Sequence, residues 1–138
     1  MKYFIYMLTL GTTLLVPLCF ASPTPSPDGA SVYIISPANG ETVSQNLIVK
    51  FGLTGMGVAP AGTDKINTGH HHLLINGEKM PEQNKAMGKE VKHFGGGQTQ
   101  ASIKLPKGKH TLQLVLGNHK HIPHNPPVAS EKITIYVK

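Results

Sequence analysis

The stretch Gly69-His70-His71-His72-Leu73-Leu74-Ile75 places three of the chain's eight histidines at the mouth of an apolar, β-type run. A strand alternates its faces, so His70 and His72 share one face, with side chains starting roughly 6.5 Å apart, while His71 points to the other. Two imidazoles at that spacing can lean toward a common point and serve as two ligands of one metal ion. The competing reading makes them polar strand-end groups that hold loop carbonyls by hydrogen bonds. The spacing of the triplet alone does not separate the two, so the elements that carry the other histidines have to.

Those elements read as short strands. Ser31 to Ser36 is a β-branched and aromatic run closed by the turn Pro37-Ala38-Asn39-Gly40. Asn46 to Leu53 alternates, with Leu47, Val49, Phe51 and Leu53 on one face and Lys50 on the other. A long loop from Thr54 to Thr68 leads into a strand over His70 to Asn76. Residues 78–97 are the least regular, and their composition allows a short helix or degenerate edge strand over Asn84 to Val91. Gln100 to Leu105, His110 to Leu116 and Glu131 to Lys138 alternate again, burying Ala101, Ile103, Leu105, Leu112, Leu114, Leu116, Ile133, Ile135 and Val137. Six to seven short strands without a convincing long helix predict an all-β antiparallel sandwich, nearest in template to the immunoglobulin or fibronectin type III fold. The template is architecture only, since this chain has no tryptophan and no disulfide.

In such a sandwich the segments 54–72, 93–99 and 117–130 gather at one end. They hold seven of the eight histidines, and only His110 falls at the opposite end, about 20 Å away, where it reads as structural. Binding sites on sandwiches are built on loop clusters of this kind. The expected ligands are His70 and His72, joined by one or two of His93, His119, His121 and His124. Gln98 and Thr99 are expected to hydrogen-bond and orient an imidazole. Copper or zinc suits imidazole, and Met56 or Met87 can add a thioether if the ion is Cu(I). The rim is poor in carboxylates, which disfavours calcium.

Residues 1–21 have the three-part pattern of a secretory signal peptide: Lys2, an apolar run from Phe4 to Phe20, and a small-residue exit at Ala21-Ser22. Val16-Pro17-Leu18 lacks the small residue that lipid attachment at Cys19 needs, and an uncleaved membrane anchor is the alternative. The Pro-rich segment 22–30 reads as an extended spacer, and 31–138 as the single domain. The expected location is therefore periplasmic or secreted. Cleavage removes the one cysteine, leaving nitrogen, oxygen and thioether as the possible metal donors. It also removes Lys2, lowering the formal charge from +6 to +5. The basic residues are all lysine, without arginine or interleaved aromatics, which argues against nucleic acid. Hydrolase and NTPase readings lack their parts, because there is no Gly-x-Ser-x-Gly elbow, no mature cysteine nucleophile and no P-loop lysine. Gly95-Gly96-Gly97 precedes a strand rather than a helix and reads as a turn. Asp64 and Glu90 lie in neighbouring segments, but nothing ties either to the histidines as a general base.

Four ordered motifs carry a resemblance: Gly69 to Ile75, His93-Phe94-Gly95-Gly96-Gly97-Gln98-Thr99, His110 to Gly117, and His121-Ile122-Pro123-His124-Asn125-Pro126-Pro127. In these the chain resembles a bacterial family of secreted or periplasmic proteins, the domain-of-unknown-function 4399 family, from roughly Pro37 to Lys138. The resemblance implies an envelope location and a compact β domain, and it carries no established activity. The chain departs from the family pattern at Asn76, Gln100, Asn118 and Asn125, where Asp, Glu, Asp and Asp are usual. The histidines remain, so a mechanism resting on imidazole is untouched by those changes. The sequence thus supports an exported β-sandwich that binds copper or zinc at a histidine rim and is more readily a binding protein than an enzyme. The alternative is a non-catalytic envelope module whose histidines staple loops that contact another envelope protein. A glycan-binding rim ranks last, because Tyr33 and Tyr136 face outward but no tryptophan offers a sugar platform.

Overall fold

The computed structural model describes residues 24–138. The predicted signal segment lies outside them, as do the first two residues of the spacer. The described residues form an all-β sandwich of two sheets, with no helix long and apolar enough to cross a membrane. Nine strands follow in chain order: β1 (Ser31–Ser36), β2 (Thr42–Val43), β3 (Asn46–Thr54), β4 (Gly57–Val58), β5 (Thr68–Ile75), β6 (Lys92–His93), β7 (Gln100–Lys104), β8 (Gly108–Gly117) and β9 (Ile133–Val137). One sheet has the order β1-β3-β7, and the other β2-β9-β8-β5-β4 with β6 also paired to β5.

The alternation of apolar residues explains the long strands. Leu47, Val49 and Phe51 of β3 point inward, as do Leu112, Leu114 and Leu116 of β8 and Ile135 and Val137 of β9, and together they form the main core with Val32, Leu73 and Ile103. The two-residue strands β2, β4 and β6 bring the total above the six to seven expected. The helix or edge strand allowed over Asn84 to Val91 does not form. That segment is a series of turns, and Met87 N–H is committed across the chain to His121 O at 2.8 Å.

β5 differs from the other strands in being buried along both faces. Its core face carries His71 and Leu73. Its outer face carries His70, His72 and Leu74, and Leu74 packs there with Met87 and Val115 in a second, smaller apolar cluster. β5 pairs antiparallel with β8, setting His70 opposite Gly117 and His72 opposite Val115. Along its other edge it pairs with β4 at its start and with β6 at its middle. The Pro-rich segment is extended and lies against the 118–126 loop: Ser26 N–H donates to Asn125 O at 3.3 Å, and Asn125 N–H to Thr24 O at 3.0 Å.

Candidate metal centre

Strand alternation divides the histidine triplet. On the core face His71 packs its ring on Phe51, centroids 5.1 Å apart, and its Nδ1–H donates to Gln98 O at 3.1 Å. On the outer face the rings of His70 and His72 converge to 4.6 Å. β6 then sets His93 opposite His72, with its ring 5.0 Å from that of His70 and 5.2 Å from that of His72. Gly95 makes room for it, since a side chain there would collide with Cε1 and Nε2 of His93. His121 closes the group, its ring 5.0 Å from His70 and its Nε2 2.9 Å from Nε2 of His93.

His121 reaches this position because Asn118 builds the turn beneath it. Asn118 Oδ1 accepts the N–H groups of Lys120 at 2.9 Å and Ile122 at 3.0 Å, while His121 N–H donates to Asn118 O at 2.9 Å. Its amide nitrogen donates to Thr24 Oγ1 at 2.9 Å, tying the turn to the N-terminal segment. The turn ends with His121 at φ 65°, a left-handed conformation uncommon outside glycine and frequent at functional sites. Gly117 completes the floor, because the first carbon of any side chain there would lie 2.6 Å from His72 Cε1.

One ring nitrogen from each of His70, His72, His93 and His121 lies within 4.8 Å of the others. Ligands at Zn–N distances around a tetrahedral ion stand about 3.3 Å apart, so a shift of less than about 1 Å per ring closes the group on one ion. His70 and His72 are fully buried, and none of their four ring nitrogens has a hydrogen-bond partner. Leaving a buried donor or acceptor unpaired costs about 1–3 kcal/mol, and native interiors seldom do so without a reason. Burial first, and then the neighbouring His121 and His93, pushes the His70 pKa down to about 4; burial, then His70 and His93, pushes that of His72 down to about 3. His93 is lowered as well, by burial and then by His121. At neutral pH these three rings are therefore uncharged, the form in which imidazole binds a metal.

Of the six histidines expected to ligate, the structure brings together these four and places His119 and His124 elsewhere. His119 Nδ1 lies 3.4 Å from Asp64 Oδ1. His124 comes after the bridge that pairs Gly117 with Pro123, and that bridge carries it to the end of the sheet. There it is fully buried, with Nδ1 3.3 Å from Leu116 O and Nε2 3.3 Å from Thr68 O. Burial holds its pKa below the ordinary value, and a neutral ring donates to only one of those carbonyls at a time. Gln98 holds an imidazole through its backbone carbonyl, but that of His71 on the core face, and its side chain and Thr99 face other groups. Gln98 Oε1 accepts Gly96 N–H at 2.9 Å, and Thr99 O accepts Phe51 N–H at 2.8 Å. His110 sits apart, donating from Nε2 to Pro106 O at 2.8 Å and accepting at Nδ1 from the Asn76 amide at 3.0 Å. Glu90 Oε1 is taken up by Gly88 N–H at 2.9 Å. Sequence reasoning did not single out Asn118, Gly117 or Gly95 for the site. The one available signal was Asn118, an Asx-turn former placed directly after a strand end.

No curated protein and no solved structure matches the chain. A family model described as Domain of unknown function (DUF4399) matches residues 49–138, a stretch that holds all eight histidines, and the chain belongs to that family.

Proposed function

We propose that this DUF4399 chain is an exported envelope protein that binds one transition-metal ion, copper or zinc, through His70, His72, His93 and His121. The observation that carries the reading is the pair of fully buried imidazoles on β5 whose four nitrogens have no partner and which converge with two further rings. A bound ion supplies the missing partner to one nitrogen of each ring. Structural metal sites contribute folding energy in the same way, because the site is assembled only in the folded chain. His70 and His72 stand on a strand paired along both edges and form a fixed base, while the more exposed His93 and His121 form the side by which an ion enters. Export rests on the pattern of residues 1–21.

Loop stapling is a second reading with its own support, since His71, His110 and His124 each direct a ring nitrogen at a backbone carbonyl. His70, His93 and His121 do not, and His72 has only a weak influence from the His70 backbone, outside hydrogen-bond geometry; that difference favours the metal. Isothermal titration with Cu(II) and Zn(II) tests it on the full chain carrying Cys19→Ser, so that no thiol competes. Stoichiometric binding is expected, and a His70→Ala, His72→Ala double variant is expected to lose it. Wild-type heat no greater than that of free histidine would leave the envelope-interaction reading in its place.

A further inference from the structure

Among the described residues methionine occurs at 56, 80 and 87. Met56 packs against the main core, and Met80 is exposed. Met87 is 8 % exposed and lies on the outer face of the large sheet with Leu74 and Val115, the face that carries His70 and His72. Its terminal methyl and the His72 ring border the same space over Gly117. The point at which a side chain on Gly117 would begin is 2.8 Å from Met87 Cε, 2.6 Å from His72 Cε1 and 3.0 Å from His72 Nδ1. Its backbone is fixed to the fourth histidine of the cluster by the bond from Met87 N–H to His121 O at 2.8 Å. An otherwise irregular segment is thus pinned at the methionine whose side chain ends next to the space that the His72 ring borders.

Resting on the metal reading above, we infer that Met87 is a further ligand of the centre and that the preferred ion is Cu(I). A thioether is a soft, neutral, polarisable donor that selects Cu(I) over Zn(II), which four imidazoles already satisfy. Charge points the same way. The clustered donors are imidazoles, which bring no negative charge, and among the nearby acids Asp64 faces His119 while Glu90 faces Gly88. Desolvating a monovalent ion in such surroundings costs less than desolvating a divalent one that no carboxylate offsets. Gly117 gives the ring and the thioether a common space that any other residue would fill.

The test compares Cu(I) affinity, by competition with a chromophoric chelator under reducing conditions, with Zn(II) affinity. It uses the full chain carrying Cys19→Ser, alone and with Met87→Leu, a change that keeps volume and apolar packing. Met87→Leu is expected to weaken Cu(I) binding by about tenfold or more and to leave Zn(II) binding within about twofold. Copper X-ray absorption of the wild type is expected to show a sulfur neighbour that this variant lacks and that Met56→Leu retains. An unchanged Cu(I) affinity in Met87→Leu, or nitrogen neighbours alone in the wild type, overturns the role of Met87 while leaving the histidine site standing. Failure of the wild type to bind either ion overturns the metal reading itself.

Discussion

His121 and His124 stand three residues apart in one loop and have opposite partners. His124 is fully buried between carbonyls of β5 and β8, so it holds two strand ends together. His121 has its backbone in a left-handed conformation and its ring against three other imidazoles. Two substitutions separate these roles. His124→Ala leaves a cavity and removes the one ring donor that two strand-end carbonyls share, and is expected to lower stability by about 1–3 kcal/mol while retaining stoichiometric metal binding. His121→Asn keeps a side chain at ease with positive φ, and is expected to change stability by less than about 1 kcal/mol yet weaken metal binding at least about tenfold. Denaturant unfolding in chelator and metal titration, run on both variants, measure the two effects. A His124→Ala chain that folds stably but no longer binds metal would contradict the division.

At the scale of elements, the site is one face of β5 completed by the two-residue strand β6 and by the turn at His121. Strand β5 was legible. Alternation set His70 and His72 apart from His71, and the same period marked Leu47, Val49 and Phe51 of β3 and Leu112, Leu114 and Leu116 of β8 as core. β2, β4 and β6 were not legible, because two residues have no period, and β6 is where His93 stands. The sorting of His119, His121 and His124 was hidden as well. It follows from the left-handed turn at His121 and from the pairing of Gly117 with Pro123, neither of which shows in the spacing of histidines. Asn118 controls that turn through its two acceptor bonds to Lys120 and Ile122. Asn118→Ala removes both and is expected to weaken metal binding although it touches no ring. Asn118→Asp keeps an acceptor oxygen for both N–H groups, loses only the bond to Thr24, and is expected to bind metal nearly as the wild type does. Equal losses in the two variants would mean that Thr24, and not the turn, positions His121.

For the whole molecule, the proposed metal site means stability given up for binding. Two rings with both nitrogens unpaired sit on β5, a strand paired along both edges, in a domain whose net stability is on the order of 5–15 kcal/mol. Without metal, a His70→Leu, His72→Leu double variant removes those unpaired groups at similar volume and is expected to unfold at higher denaturant than the wild type, by about 1–3 kcal/mol or more. Its pH dependence is expected to change too. In the folded wild type His70 titrates at about 4 and His72 at about 3, both below the unfolded value of about 6.5. Between those limits the unfolded chain binds more protons than the folded one, so metal-free stability falls as pH drops below about 6.5, by up to about 1.4 kcal/mol per unit for each ring, and the fall from these two ends near pH 3. Unfolding curves at pH 7.5, 6 and 5 in chelator are therefore expected to spread less in the double-leucine chain than in the wild type, where His71, His93 and His124, also lowered by burial, supply the remainder. Saturating metal is expected to raise the curves and to keep or widen the spread, since an ion holds the rings unprotonated in the folded chain while the unfolded chain still takes up protons. A wild type that is more stable than the double-leucine chain in chelator, with curves that do not move between pH 7.5 and 5, would mean that the four nitrogens have partners within the fold, and the case for an ion at this face would fall with them.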